Sequence, residues 1–224
     1  MKVIPFSLWG HDPKYCVGAV RNAELAAELY PDWKCWFYFR RGTDQATIDT
    51  LNQFDNVETI AVNKGGDWTG MFDRFLPVMI PAVEVMLSRD CDSRLNEREV
   101  AAVNEWLESD KGFHIMRDHP WHSSQILGGM WGIKQGCLPE FGELMQNWNA
   151  EDRWQTDQEF LNAEIYPRVV HNAMVHASHF KMEPWARPFP TPRNSQANFV
   201  GESFDSEGNR VDEHVRMLQN AEGI

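Results

Sequence analysis

Apolar positions recur along the first half of the chain with two periods, one typical of strands and one typical of helices. Runs rich in β-branched and aromatic residues predict four strands, at Val3–Leu8, Cys35–Phe39, Val57–Val62 and Val83–Ser88. Segments with apolar residues at helical spacing predict three helices between them, at Tyr15–Tyr30, Thr43–Phe54 and Trp68–Ile80. Because strands and helices alternate, we expect an α/β fold with a largely parallel central sheet.

The second half of the chain predicts further elements of the same kind. Asn96 and Glu99 have the spacing of a capping box, which indicates that a helix begins there. The remaining predicted elements are a strand at Phe113–Met116, a helix at Thr156–Tyr166 that stops at Pro167, and a strand within Val169–His176. Residues 1–183 are interpreted as one domain. Residues 184–224 begin with a proline-rich stretch and are interpreted as an extension packed on that domain or trailing from it.

Composition narrows the class of protein. Hydrophobic residues make up 42% of the 224 positions and charged residues 24%, as in ordinary globular proteins. The net charge of −12 argues against binding to nucleic acid or to an anionic membrane surface. We also expect no transmembrane segment, since no apolar run approaches the roughly 18 residues that one requires. The four scattered cysteines predict free thiols and a cytoplasmic location.

Asp90 and Asp92 follow directly after the predicted strand Val83–Ser88. Two carboxylates separated by one residue at the end of a buried strand supply oxygen ligands for a hard cation such as Mg²⁺ or Mn²⁺. Such a cation completes its shell with water and phosphate oxygens, which suits a diphosphate leaving group. The same short pattern also occurs as two acids in a solvated turn, so its surroundings must decide between the two interpretations.

Two more segments contain charged candidate residues, Arg74 among apolar side chains and Asp157 at the start of a helix. Arg74 lies among large apolar residues, and a buried guanidinium requires a partner. That partner is either a phosphate or an acid of the metal site, or else Asp73 or Glu84 in a structural ion pair. Thr156 is a candidate N-cap that places Asp157 and Gln158 in the first helical turn, where acids also occur only to offset the helix dipole.

Histidines and tryptophans form two further sets of candidates. His114, His119 and His122 repeat the spacing of His171, His176 and His179, but neither set matches a zinc motif. His176 follows a predicted strand and is the candidate for a mixed oxygen and nitrogen site. Of the ten tryptophans, three lie next to glycine or polar turns, where an indole stacks on a sugar or belongs to the core: Trp68, Trp121 and Trp131.

Taken in order, these residues resemble the GT-A fold of nucleotide-sugar glycosyltransferases. The segment 74–77 resembles the arginine-bearing helix that precedes the metal motif in glycosyltransferase family 8, and the segment 157–162 resembles that family's Asp-Gln-Asp-x-Leu-Asn. Segments 6–10, 14–15, 30–33 and 117–120 resemble small bacterial and viral proteins of the same fold. The resemblance covers roughly residues 1–180. Glu159 and the stretch Gly128-Gly129-Met130 depart from the family 8 pattern.

The resemblance implies a three-layer GT-A fold with a mixed, mostly parallel sheet and a role for each candidate residue. Mn²⁺ or Mg²⁺ would be held by Asp90, Asp92 and His176, with His171 and His179 as alternatives to His176. Asp157 and Gln158 would act at the anomeric carbon, Asp157 as the general base if the enzyme inverts. The donor, a UDP- or GDP-linked sugar, would be bound by Phe6, Ser7, Leu8, Trp9, Tyr15, Arg74, Asp90, Arg117, Asp118, Gly128 and Gly129.

The resemblance therefore predicts a metal-dependent glycosyltransferase that acts on a glycan or small-molecule acceptor. Two alternatives remain open at the level of the sequence. One is a metal-dependent phosphohydrolase with Asp90 as its nucleophile. The other is a non-catalytic carbohydrate- or nucleotide-binding protein on a transferase-like fold.

Overall fold

Seven strands form one mixed sheet in a computed structural model, which describes residues 1–194 and 196–223. The strands are β1 (Lys2–Leu8), β2 (Trp33–Arg41), β3 (Val57–Gly65), β4 (Val85–Ser88), β5 (Phe113–Arg117), β6 (Trp131–Lys134) and β7 (Ala173–Ala177). The α-helices are α1 (Pro13–Leu29), α2 (Gln45–Leu51), α3 (Glu97–Leu107), α4 (Phe141–Asn147), α5 (Thr156–Phe160), α6 (Tyr166–Val169) and α7 (Asp212–Glu222). Two 3₁₀ helices (Trp68–Met79 and Val170–Asn172) and a π-helical turn (Leu161–Ile165) complete the list.

The order of the strands across the sheet is β3-β2-β1-β4-β6-β5-β7. All neighbouring pairs are parallel except those of β6, which runs antiparallel to both β4 and β5. The chain leaves β1 toward β2 and β3, then returns to place β4 on the other side of β1. Such a reversal opens a crevice at the carboxyl ends of the two central strands, and ligands of open α/β sheets bind there.

Helices cover both faces of the sheet, so the predicted three-layer α/β architecture with a mostly parallel sheet is confirmed. On one face α1 and α3 pack through small and aromatic side chains such as Ala19, Ala23 and Trp106. On the other face the long 3₁₀ helix and helices α4 and α5 supply Phe75, Phe141 and Phe160. The two apolar clusters meet the sheet from opposite sides because successive residues of a strand point to opposite faces.

Several predicted elements differ in detail from the structure. The helix at 68–80 is a 3₁₀ helix, and Pro77 lies inside it. The helix predicted to stop at Pro167 continues to Val169, with a π-helical turn at Leu161–Ile165 directly before the proline-containing turn. Gln155, not Thr156, is the cap of α5. Strand β6 and helices α4 and α7 were not predicted.

The C-terminal extension packs on the domain. Ser203 forms an isolated bridge with Ser93, and the Phe204 N–H donates to the Asp92 carbonyl at 2.9 Å. Ser195 and Ile224 of this extension lie outside the described residues. The four cysteines are free thiols. Among the described residues, no helix has both the length and the apolar character that crossing a membrane requires.

Candidate active site

A pocket of about 640 Å³ opens at the carboxyl ends of β1 and β4. The end of β1 and the loop after it contribute Ser7 to Asp12, and the turn after β4 contributes Asp90 to Asp92. The 3₁₀ helix, the β5–β6 connection and the start of α5 supply the other walls. The pocket thus occupies the place where the reversal of strand order predicts a ligand site.

The 3₁₀ geometry of residues 68–79 decides which of its side chains reach the pocket. Three residues per turn place Trp68, Met71 and Arg74 in one row, and all three line the pocket. Phe72 and Phe75 point the other way into the core. The row is anchored at the first strand, because the Arg74 N–H donates to the Ser7 hydroxyl at 3.0 Å.

Arg74 joins the two acidic segments that the sequence singled out. Its Nη1 donates to Asp90 Oδ1, and its Nη2 donates to Asp157 Oδ2 at 2.6 Å. The guanidinium is buried, and its partner Asp90 is an acid of the candidate metal site, as one of the two interpretations expected. Asp73, which the other interpretation offered as a partner, pairs with Arg40 instead. Burial raises the pKa of Asp157 and the charge of Asp90 adds to the effect, although Arg74 opposes it.

Asp92 has a cation of its own. Lys14, in the first turn of α1, places Nζ 2.6 Å from Asp92 Oδ2. Burial raises the pKa of Asp92, and repulsion from Asp90 adds to this rise, while Lys14 opposes it. The pKa of Lys14 is also raised, because the charge and hydrogen bond of Asp92 together outweigh the burial that lowers it.

Gly128 and Gly129 permit this arrangement. A Cβ on Gly128 would lie 2.4 Å from Asp157 Oδ2 and 2.5 Å from Arg74 Nη2, and a Cβ on Gly129 would lie 2.0 Å from Asp90 Oδ2. Any side chain at either position would therefore displace the charged network. The segment that contains both glycines is bound to β4, since the Gly128 carbonyl accepts a hydrogen bond from the Ser88 hydroxyl at 2.7 Å. These glycines were expected to let the backbone approach a sugar; the structure shows that they make room for the carboxylates.

Comparison with known proteins bears on the fold. No protein-family model matches this chain, and no curated protein sequence matches it either. Among solved structures, the mannosyltransferase PcManGT from Pyrobaculum calidifontis, in complex with GDP-Man and Mn²⁺, is similar with a TM-score of 0.53 and 9% identity, over 86% of this chain and 57% of its own. The chain has a GT-A-type fold.

Two further solved structures are similar to this chain. The 4-diphosphocytidyl-2C-methyl-D-erythritol synthase from Anaerococcus prevotii is similar with a TM-score of 0.50 and 9% identity, over 100% of this chain and 98% of its own. A glycosyltransferase involved in the glycosylation of the major capsid of PBCV-1 is similar at 17% identity with a TM-score of 0.49, over 79% of this chain and 82% of its own. At such identities the likeness concerns the fold.

The two carboxylates in the pocket are the smallest set of protein ligands that fits a hard divalent cation. Asp90 is partly exposed to the pocket, and Asp92 lies beside it on the same turn. Mg²⁺ and Mn²⁺ are commonly held by one or two carboxylates, with water and substrate phosphate as the other ligands. Within the described residues, no group of three or more His, Cys, Asp or Glu side chains is placed to hold a metal ion.

The pocket brings together most of the residues expected from the sequence. Its lining contains the following members of that set: Ser7, Leu8, Trp9, Tyr15, Arg74, Asp90, Asp92, Gly128, Asp157 and Gln158. Phe6 is not in the lining, because it is fully buried and stacks on Phe37 with ring centroids 4.7 Å apart. Gly129 lies beneath Asp90 and does not face the cavity.

Arg117 and Asp118 do not line the pocket, so the expectation that they bind the donor is corrected. Arg117 is fully buried and pairs with Glu183. Asp118 is fully buried as well, and its carboxylate accepts from Arg98 at 2.9 Å and from Arg193 at 3.0 Å. Through Arg193, Asp118 attaches the C-terminal extension to the end of strand β5, whereas Arg117 pairs within residues 1–183. Their partners are distant in sequence, which is why the local pattern indicated a binding role.

His176 is also corrected as a metal ligand. Its Nδ1 lies 2.8 Å from His114 Nε2, and its Nε2 lies 3.2 Å from Glu105 Oε2, so both ring nitrogens are engaged away from Asp90 and Asp92. Neither His171 nor His179 lines the pocket. His171 lies against Trp185, and His179 lies beside Glu222.

Sequence reasoning overlooked part of the lining. Trp154 and Gln155 precede the acidic turn of α5, and Ser203 comes from the C-terminal extension. Gln155 has a left-handed backbone with φ of 67°, a conformation that is uncommon outside glycine. Lys14 was noted only as part of a resemblance, although its position in the first turn of a proline-initiated helix directs it toward the loop after β4. Trp131 belongs to the core, whereas Trp68 and Trp121 line the pocket.

Proposed function

We propose that this protein is a metal-dependent glycosyltransferase that moves a sugar from a UDP- or GDP-linked donor to an acceptor hydroxyl. The observation that carries the proposal is the position of Asp90 and Asp92. They lie at the carboxyl end of β4, in the crevice beside β1, and Arg74 links Asp90 to Asp157 across the pocket. Two carboxylates would thus be available to a cation, and a third, Asp157, to the reacting sugar.

Each wall has a distinct task in the proposed reaction. Leu8, Trp9 and Tyr15 would contact the nucleoside, because they follow the first strand beside the acidic turn. Asp90 and Asp92 would hold Mn²⁺ or Mg²⁺, which supplies positive charge to the leaving diphosphate. Arg74 would orient the sugar phosphate end of the donor and fix the two carboxylates that it bridges.

The transfer exchanges one bond at the anomeric carbon for another. The bond to the diphosphate oxygen breaks, and its electron pair leaves with the nucleoside diphosphate, while the acceptor oxygen forms the new bond. If the configuration inverts, Asp157 takes the acceptor proton, and the raised pKa of this carboxyl suits a general base. If the configuration is retained, Asp157 and Gln158 would stabilise the positive charge at the anomeric carbon, and the departing diphosphate oxygen would take the acceptor proton.

The test is release of nucleoside diphosphate from a panel of UDP- and GDP-sugars in Mn²⁺ or Mg²⁺, with and without saccharide acceptors. We expect Asp92→Ala to abolish the metal-dependent reaction. Asp55→Asn is the matched control, since Asp55 is exposed and precedes β3 at the opposite end of the sheet. Unchanged turnover in Asp92→Ala would overturn the proposal.

The same reaction mixtures identify other activities by their products. Release of inorganic diphosphate from a nucleoside triphosphate and a sugar phosphate would indicate a nucleotidyltransferase, which is relevant because a diphosphocytidyl synthase shares the fold. Transfer of labelled phosphate onto Asp90 would indicate a phosphohydrolase. Saccharide or nucleotide binding without turnover would indicate a non-catalytic binding protein. The free thiols are typical of a reducing compartment, and we place the activity in the cytoplasm.

A further inference from the structure

Three of the protein's exposed tryptophans line the candidate pocket. Among the described residues, Trp68, Trp121, Trp154 and Trp185 are 39%, 42%, 65% and 44% exposed. The first three line the pocket. A large apolar side chain left in water loses the stabilisation of burial, so a cluster of them marks a binding surface more strongly than scattered single residues do.

The rim that carries Trp154 is held in place by its neighbours. Asp152 accepts a hydrogen bond from the Trp68 N–H at 2.9 Å, which ties this rim to the start of the 3₁₀ helix. Arg153 donates to Glu151 at 2.6 Å and also pairs with Glu159 in α5. The contacts of Asp152 and Arg153 hold the loop that carries Trp154, and the Trp154 indole projects from this loop.

The backbone beside Trp154 is strained at the same place. Gln155 adopts φ of 67°, which is unfavourable for a residue with a side chain and persists where surrounding contacts enforce it. This turn separates Trp154, which is open to solvent, from Asp157, which is buried two residues after Gln155. The strain therefore lies between an exposed indole and the carboxylate proposed to act at the reacting sugar.

The chemistry of this rim matches a sugar ring. An indole face packs against the C–H groups of a pyranose, and nearby hydroxyl and amide groups bind its hydroxyls. Such groups are present in the lining as Ser123, Ser124, Gln155 and Gln158. A polyanionic acceptor beside the donor is disfavoured, because the lining contains Asp12, Asp90, Asp92 and Asp157 against one arginine, Arg74, and the protein carries a net charge of −12.

We propose that Trp154, together with Trp121, forms an acceptor subsite for a neutral saccharide. One sugar ring stacks on the Trp154 indole, and a hydroxyl of the acceptor points past Gln155 toward Asp157. The inference rests on the proposed glycosyltransferase function, and it names the class of acceptor that the function leaves open. Trp68 lies beside Trp9, with ring centroids 6.2 Å apart, on the wall assigned to the donor nucleoside.

The test measures binding of neutral trisaccharides (malto-, cello-, manno- and chitotriose) without donor, by isothermal titration or saturation-transfer NMR. Trp154→Ala is expected to weaken binding of the best trisaccharide about tenfold, whereas Trp154→Phe keeps an aromatic face and stays within about threefold of the wild type. Trp185→Ala is the matched control, because Trp185 is similarly exposed but lies outside the pocket. The melting temperature of each variant reports whether it folds.

Several results would overturn the subsite. These are equal weakening in Trp154→Ala and Trp185→Ala, wild-type affinity in Trp154→Ala, no binding of any trisaccharide, or stronger binding of oligogalacturonate than of the neutral sugars. Donor turnover is measured on the same preparations. Turnover that depends on Asp92, without saccharide binding that depends on Trp154, refutes the subsite and leaves the function standing. Saccharide binding that depends on Trp154, without turnover of any donor, supports a saccharide site at Trp154 but refutes the transferase and, with it, the role of acceptor.

Discussion

Replacing Gly129 by alanine should disable the acidic pair Asp90 and Asp92, although it replaces no charged residue. A Cβ at this position would lie 2.0 Å from Asp90 Oδ2 and 2.8 Å from the Asp90 backbone nitrogen. The Asp90 carboxylate is not free to yield, because Arg74 is bound to its other oxygen. The added methyl group must therefore push the carboxylate away from Arg74 or move the turn that carries it.

The size of the effect follows from these distances. Restoring ordinary van der Waals contact requires a shift of more than about 1 Å, and an overpacked buried site costs about 1–3 kcal/mol. For a chain of this length each kcal/mol lowers the melting temperature by about 2–4 °C, so we expect a decrease between about 2 and 12 °C. A catalytic group displaced by about 1 Å loses up to about 100-fold in rate, which is the expected loss in nucleoside diphosphate release.

The assay combines kinetics with a readout that does not depend on turnover. Mn²⁺ with UDP or GDP should raise the melting temperature of the wild type but not of Gly129→Ala. Gly65→Ala is the control, since a Cβ there meets nothing within 4 Å. Wild-type kinetics and wild-type stabilisation by Mn²⁺ in Gly129→Ala would show that the position of Asp90 does not matter, and the assignment of the metal site would be abandoned.

Three other predictions follow from buried charge. Lys14→Met should tighten Mn²⁺ binding at alkaline pH and raise the pH below which Mn²⁺ binding is lost, because Lys14 lowers the pKa of Asp92. A Mn²⁺ titration by electron paramagnetic resonance checks both effects, and an unshifted pH limit contradicts them. Asp118→Asn should destabilise the protein by about 3–5 kcal/mol, since it removes the carboxylate that pairs with Arg98 and one of the two that pair with Arg193, and limited proteolysis should then cut the C-terminal extension first. The free energy of unfolding in urea should fall below about pH 6.5, because burial lowers the pKa of His114 and His176 and the unfolded chain therefore binds more protons there. His114→Leu should reduce this dependence on pH, and an unchanged slope would contradict the explanation.

The elements that could be predicted from the sequence are those whose apolar pattern is local. Helix α1 begins at Pro13 after an aspartate cap, and helix α3 begins after the Asn96 cap, close to the predicted positions. Strand β6 was missed because its four residues, Trp131–Lys134, are too few to show a period, and it exists through pairing with β4 and β5. The path of the helix through Pro167 depends on a π-helical turn that no local pattern indicates.

The candidate site divides in the same way. Asp90, Asp92 and Asp157 were recognised because each lies directly after a strand or at the start of a helix, where chain topology alone brings residues to one edge of the sheet. His176 and Asp118 also lie at a strand or just after it, but their partners are Glu105 and Arg193, which are remote in sequence. A local motif therefore indicates which residues are charged, and only the tertiary structure indicates which charges are already satisfied.

The balance of charge in the pocket gives a physical reason to couple cation binding to diphosphate binding. Asp90, Asp92 and Asp157 stand against Lys14 and Arg74, and both cations are already paired. A diphosphate that entered alone would meet repulsion of about 4 kcal/mol for a like charge 4 Å away at an effective dielectric constant of 20. It could recruit Lys14 or Arg74 only by stripping a carboxylate of its partner, which is costly in a buried site. A divalent cation on Asp90 and Asp92, as proposed, would remove this conflict, because it would neutralise the carboxylates and leave Lys14 available to the phosphates. Cation and diphosphate should therefore bind more tightly together than either does alone, since only the joint exchange leaves every charge with a partner.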